Sequence, residues 1–146
     1  MLPAVLRDPL PAHCPEVRAE PIVFISHLRV KEGKLDILRQ FSPVGTKRLE
    51  TEKPRTLVFL AYLDDSGDRV SFVHVFADAE SMDLHVKGAE ERSKAAYEFL
   101  QPDGWEIYGQ PSDDVIKSMR QAAESSGVTL TLQSEYLAGF LRPTSG

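Results

Sequence analysis

A chain of 146 residues and 16.3 kDa, 42% hydrophobic and 27% charged, has enough apolar material for one core and no room for a second domain of ordinary size. Lys and Arg number 17 against 22 Asp and Glu, giving a net charge of −5 and a pI near 5.4, which argues against a nucleic-acid partner. The short basic stretches at 47–48, 53–55 and 92–94 are interrupted by Glu and read as solvated faces. The single cysteine, Cys14, makes no internal disulfide and reads as an incidental thiol. No apolar run approaches the ~20 residues of a membrane helix. The prolines near the start argue against a secretory signal, so a cytoplasmic location off the membrane is expected.

Residues 1–21 carry Pro3, Pro9, Pro11, Pro15 and Pro21, each of which removes a backbone donor. They read as an extended N-terminal arm that contributes little to the core. The domain proper is expected over 22–142. Ile22 to Val30 is rich in β-formers and reads as a strand, ended by Glu32-Gly33. Ile37, Leu38, Phe41, Gly45, Arg48 and Leu49 follow a 3.6-residue period, so a helix comes next, which Pro43 should kink or interrupt. Thr56 to Leu63 and Arg69 to Ala77 read as strands joined by a hairpin at 64–68. Asp78 is a good N-cap for a helix with the stripe Met82, His85, Val86, Ala89, Ala96, Tyr97 and Leu100, kinked at Gly88 and ended by Pro102-Asp-Gly104. Trp105 to Gly109 then forms a short strand.

The order β-α-β-β-α-β predicts an α+β, ferredoxin-like sandwich on an antiparallel sheet, with the first and third strands in its middle. Residues 111–142 extend it. A helix is capped by Ser112, favoured at its start by Asp113 and Asp114, and stopped by Gly127. An alternating strand over 128–142 follows.

The second strand, with Leu57, Val58, Phe59, Leu60, Ala61, Tyr62 and Leu63, is apolar on both faces. In the third strand Phe72 and Phe76 lie on one face and Val73 and Val75 on the other. Two helices cover one face of such a sheet, and the other needs a cover. The C-terminal helix or a second copy of the chain would supply it, and a symmetric pair does so with no further sequence, so a homodimer is expected.

Three segments carry a likeness to a known family: His27 to Lys34, Phe72 to His85, and Ala138 to Arg142. They resemble the antibiotic biosynthesis monooxygenase family of dimeric α+β barrels over residues 22–110, with a weaker match in the tail. The first is similar to that family's strand, turn and helix start. The second is similar to its third strand followed by a helix bearing a histidine in the second turn. The resemblance implies a dimeric α+β barrel whose relatives include cofactor-free oxygenases, haem degraders, isomerases and proteins of no known activity.

His85 is the candidate catalytic residue. It lies on the apolar stripe three residues after Met82, and in the family the matching position often borders the ligand cavity. The plainer account is a core histidine satisfied by one hydrogen bond. His27 and His74, on the two central strands, together with Tyr62, Trp105 and Tyr108, are candidates to line the same small-molecule cavity, though each also suits an ordinary core. Arg29 and Arg69 read as surface charge. No His-Glu-x-x-His spacing, phosphate loop, dinucleotide fingerprint or nucleophile elbow occurs, so neither a metal site nor a resident cofactor is expected. The expected function is a cofactor-independent monooxygenase, or a related enzyme, acting on a small phenolic or enolisable substrate. A non-catalytic dimeric barrel that binds a small apolar ligand or serves a structural role stays open. Haem binding through His85 ranks behind both.

Overall fold

The computed structural model describes residues 20–142. The proline-rich arm lies outside the described residues up to position 19.

The elements are β1 (Ile22–Val30), α1 (Leu35–Glu52), β2 (Thr56–Leu63), β3 (Arg69–Phe76), α2 (Ala79–Val86), α3 (Ala89–Ala96), β4 (Leu100–Tyr108), α4 (Asp113–Ser126) and β5 (Leu130–Gln133). They form one sheet in the order β2-β3-β1-β4-β5. As the ferredoxin-like reading requires, β1 and β3 are interior strands. The first four strands pair antiparallel, and β5 joins β4 in parallel after the α4 crossover.

The turn and cap chemistry acts locally. In the β2–β3 hairpin the Asp64 carboxylate accepts from the backbone N–H groups of Asp68 and Arg69, and Gly67 supplies the positive φ. Asp78 caps α2 by accepting from the Ser81 N–H at 2.8 Å. The Ser112 hydroxyl accepts from Val115 N–H to start α4, and left-handed Gly127 ends it.

Four expectations need correction. The helix after Asp78 is not one kinked rod: Gly88, at φ 83, breaks it into α2 and α3. Pro102-Asp-Gly104 does not terminate that helix but lies inside β4, which begins at Leu100. There Asp103 is the extra residue of a β-bulge, and a bulge accommodates Pro and Gly within a strand. Of the two effects expected of Pro43, interruption does not occur: α1 runs through it from Leu35 to Glu52. The closing strand covers only Leu130–Gln133, and residues 134–142 have no regular structure despite their alternating pattern.

Helices occupy one face of the sheet. Ile22, Phe24, Phe76, Trp105 and Ile107 pack there with Met82, Val115 and Ala123, while Leu28, Val70 and Leu100 pack with Leu38 and Phe99. The opposite, open face carries Val23, Ile25, Val58, Leu60, Val73 and Val75, so β2 and β3 are apolar on both sides as read.

Candidate functional site

The candidate site lies between the helix face of the sheet and α2. His85 points inward because it sits three residues after Met82, which is fully buried, and shares its side of α2. His74 reaches the same layer from β3, where it stands opposite Phe24 on β1 and Phe59 on β2. The two imidazole centroids are 5.0 Å apart, edge to face. Phe76 lies 5.2 Å and Phe59 6.5 Å from His85, and Phe24 lies 4.8 Å from His74. Two imidazoles thus stand inside a box of phenylalanines.

Each ring has one fixed nitrogen. His74 Nδ1 donates to the Phe24 carbonyl at 3.0 Å, which leaves Nε2 as the acceptor of a neutral ring. His85 Nδ1 pairs with the Thr56 hydroxyl at 2.7 Å. Burial pushes His74 down to about 4, and the Arg92 charge pushes the same way. Burial pushes His85 down to about 3, aided by His74, Arg92 and Lys53. Both rings are therefore neutral at physiological pH.

The cations belong to the architecture of α2. Lys53, just after α1, donates to the carbonyls of Leu84 at 2.8 Å and Lys87 at 2.9 Å. Arg92 of α3 donates to the carbonyls of His85 at 2.6 Å and Lys87 at 3.1 Å. These are the orphan carbonyls of a helix C-terminus, where positive charge is favourable. Reading the basic stretches as solvated faces missed this use of Lys53 and Arg92. Arg92 lies seven residues after His85, two helical turns in an unbroken helix, and the break at Gly88 folds it back onto the carbonyls.

The sheet separates three of the other candidates from His85. His27, Tyr62 and Tyr108 lie on the open face. His27 Nδ1 pairs with Ser71 Oγ at 2.7 Å, and its Nε2 is 3.5 Å from Glu106. His27 and His74 thus do not line one space, because they occupy odd and even positions of adjacent strands. Trp105 is on the helix face, where its Nε1 donates to Ser26 Oγ at 2.9 Å and its ring joins the core beside Val115. Arg29 and Arg69 are surface charges, as read, and both pair with the bulged Asp103, at 3.2 and 3.1 Å. Among the described residues no cluster of three His, Cys, Asp or Glu side chains is arranged to hold a metal ion.

No family model and no curated protein sequence matches the chain. Solved structures do. MupZ from Pseudomonas fluorescens is 14% identical, matching 84% of this chain and 95% of its own with a TM-score of 0.63. Rv0793 from Mycobacterium tuberculosis is 12% identical, matching 64% of this chain and 97% of its own with a TM-score of 0.52. A protein solved as an antibiotic biosynthesis monooxygenase is 13% identical over 59% of this chain and 92% of its own, with a TM-score of 0.49. At these identities the likeness to the first two shows the fold, an α+β architecture, and leaves the chemistry to the residues.

Proposed function

We propose that the protein is a homodimeric, cofactor-independent monooxygenase, or a related enzyme, acting on a small phenolic or enolisable molecule between α2 and the sheet. The observation that carries this reading is the pair of neutral, buried imidazoles, His85 at the helix position that the family resemblance marks and His74 beside it on β3, with Phe24, Phe59 and Phe76 around them. A phenylalanine box suits a flat aromatic ligand, and a neutral His85 is the proton acceptor.

The magnitude constrains the mechanism. At about 3, His85 is far too weak to deprotonate an ordinary phenol, pKa about 10, unaided. The anion formed in the site must raise the imidazole by charge attraction, and the charges of Arg92 and Lys53, which act on the His85 ring, favour that anion. The deprotonated, electron-rich substrate would then react directly with dioxygen, while the apolar walls keep water away.

The non-catalytic reading is supported by a different observation: His85 is only 5% exposed and already satisfied by Thr56. Oxygen uptake with a panel of phenolic and enolisable compounds separates the two. The enzyme reading expects uptake that falls about 10²- to 10⁴-fold in His85→Gln. The binding reading expects ligand affinity with no uptake.

Homodimerisation is supported by the open face, where Val23, Ile25, Val58, Leu60, Val73 and Val75 form a continuous apolar surface with no helix over it among the described residues. A second copy covers it with the same residues.

A further inference from the structure

Thr56, His85 and His74 stand in a row from the edge of the sheet toward its interior. Thr56 opens β2, an edge strand, and is half-buried, whereas His85 is 5% and His74 6% exposed. The Thr56 hydroxyl is 2.7 Å from His85 Nδ1, the two imidazole centroids are 5.0 Å apart, and His74 Nδ1 donates to the Phe24 carbonyl at 3.0 Å. The innermost bond fixes one tautomer: with its hydrogen on Nδ1, His74 has a bare acceptor at Nε2.

Satisfaction of buried polar atoms fixes the other tautomer. With the His85 hydrogen on Nδ1, both Nε2 atoms would be bare acceptors among Phe24, Phe59 and Phe76, and among the described residues no donor is paired with either. With that hydrogen on Nε2 instead, Thr56 donates to His85 Nδ1, His74 Nε2 accepts from His85, and every ring nitrogen is used. The spacing agrees. An N–H···N bond of about 3 Å between imidazoles, whose nitrogens lie about 1 Å from the ring centre, sets the centroids about 5 Å apart. The charges acting on the rings are cations, Arg92 on both and Lys53 on His85, and Glu52 acts on those cations in turn. No carboxylate pairs with either ring among the described residues, so the partner of each ring is the next member of the row.

We propose that Thr56, His85 and His74 form a proton relay in which Thr56 meets the substrate and His74 stores the proton. This rests on the enzyme reading above, and it lets an almost fully buried His85 serve a substrate. The transfer balances within the row. The substrate O–H bond breaks and leaves its electron pair on the substrate oxygen. Thr56 Oγ1 gains that proton and gives its own to His85 Nδ1, and His85 gives its Nε2 proton to His74 Nε2. Thr56 and His85 end neutral, His85 as the other tautomer. His74 ends as the imidazolium, with its Nδ1–H on the Phe24 carbonyl. His74, lowered to about 4, is a stronger base than His85, lowered to about 3, so the charge rests on the inner ring. Thr56 is thus the catalytic contact and His74 a positioning residue that acts through His85.

Nitrogen NMR of the histidine rings at neutral pH tests the row without any variant: His85 is expected to carry its hydrogen on Nε2 and His74 on Nδ1. Oxygen uptake with the phenolic and enolisable panel is measured alongside. Thr56→Val, which removes the hydroxyl, is expected to lower turnover by about 10²-fold, and Thr56→Ser, which keeps it, to retain turnover. His74→Asn keeps a donor for the Phe24 carbonyl and lacks the second ring nitrogen. It is expected to lower turnover at least tenfold with KM unchanged, because His74 does not touch the substrate. Uptake by a chain whose His85 carries its hydrogen on Nδ1, or uptake unchanged in Thr56→Val, overturns the relay and leaves His85 acting directly. No uptake by the parent chain overturns the enzyme reading and the relay with it.

Discussion

Thr56 and His85, the first residue of β2 and the seventh of α2, share a 2.7 Å hydrogen bond across 29 positions of sequence. That bond ties the helix to an edge strand and fixes which imidazole nitrogen faces the aromatic box. Thr56→Val removes the hydroxyl and keeps the shape, leaving Nδ1 of a buried ring unpaired. The expected cost is about 1–3 kcal/mol, read as a lower urea midpoint at unchanged m-value. An unaltered midpoint would mean that water replaces the hydroxyl and that the bond does not anchor α2.

The histidine pair sets an acid limit. Unfolded, both rings take up protons near 6.5; folded, they do so only near 4 and 3. Between those values the unfolded state binds more protons, so stability is full above pH 6.5 and falls as pH drops below it. His74 alone contributes about 3 kcal/mol of that loss by pH 4, and His85 adds to it. Asp64 and Asp78, whose carboxyls are held below 3.8 by their hydrogen bonds, lose their protons too low to mask this window. Urea titrations at pH 7 and pH 4.5 check it, and equal stabilities would contradict neutral burial of the rings.

Arg92 presses on both rings, lowering each by its charge. Arg92→Gln keeps a donor for the carbonyls and removes the charge. Proton NMR titration should then show the His74 and His85 midpoints moving upward. If only one moves, the cation does not act on the pair as a unit.

Gly88 holds φ 83 between α2 and α3, a conformation costly for any residue with a Cβ, whose nearest neighbour there would be Arg92 Nη1 at 3.5 Å. Gly88→Ala should cost about 1 kcal/mol. A more stable variant would indicate that the break is not required.

Much of this was legible in the residues. Runs of β-formers located the first three strands and the second half of the fourth, the 3.6-residue period placed His85 inward, and Asp78, Ser112 and Gly127 acted as the caps they resembled. Pro102-Asp-Gly104 misled because turn chemistry and bulge chemistry use the same residue types, and only pairing with β1 distinguishes them. The tail misled because alternation records a pattern without supplying a partner strand. Within the site, His74 and His85 carried a signal as polar groups among apolar neighbours. Thr56, Lys53 and Arg92 carried none, because a hydroxyl at a strand start and cations near helix ends acquire roles only when distant elements meet. His27 was grouped with His74 because both lie on central strands, whereas register sends them to opposite faces.

The central claim is that His85 accepts a proton from a bound substrate. The direct measurement compares oxygen uptake and folding stability in the parent chain and His85→Gln, a substitution that keeps volume and a hydrogen bond to Thr56 but removes the base. The account predicts uptake lower by about 10²- to 10⁴-fold with stability changed by no more than about 1 kcal/mol. A stability loss of about 1–3 kcal/mol with uptake or ligand binding unchanged would contradict it and make His85 a paired group of the core.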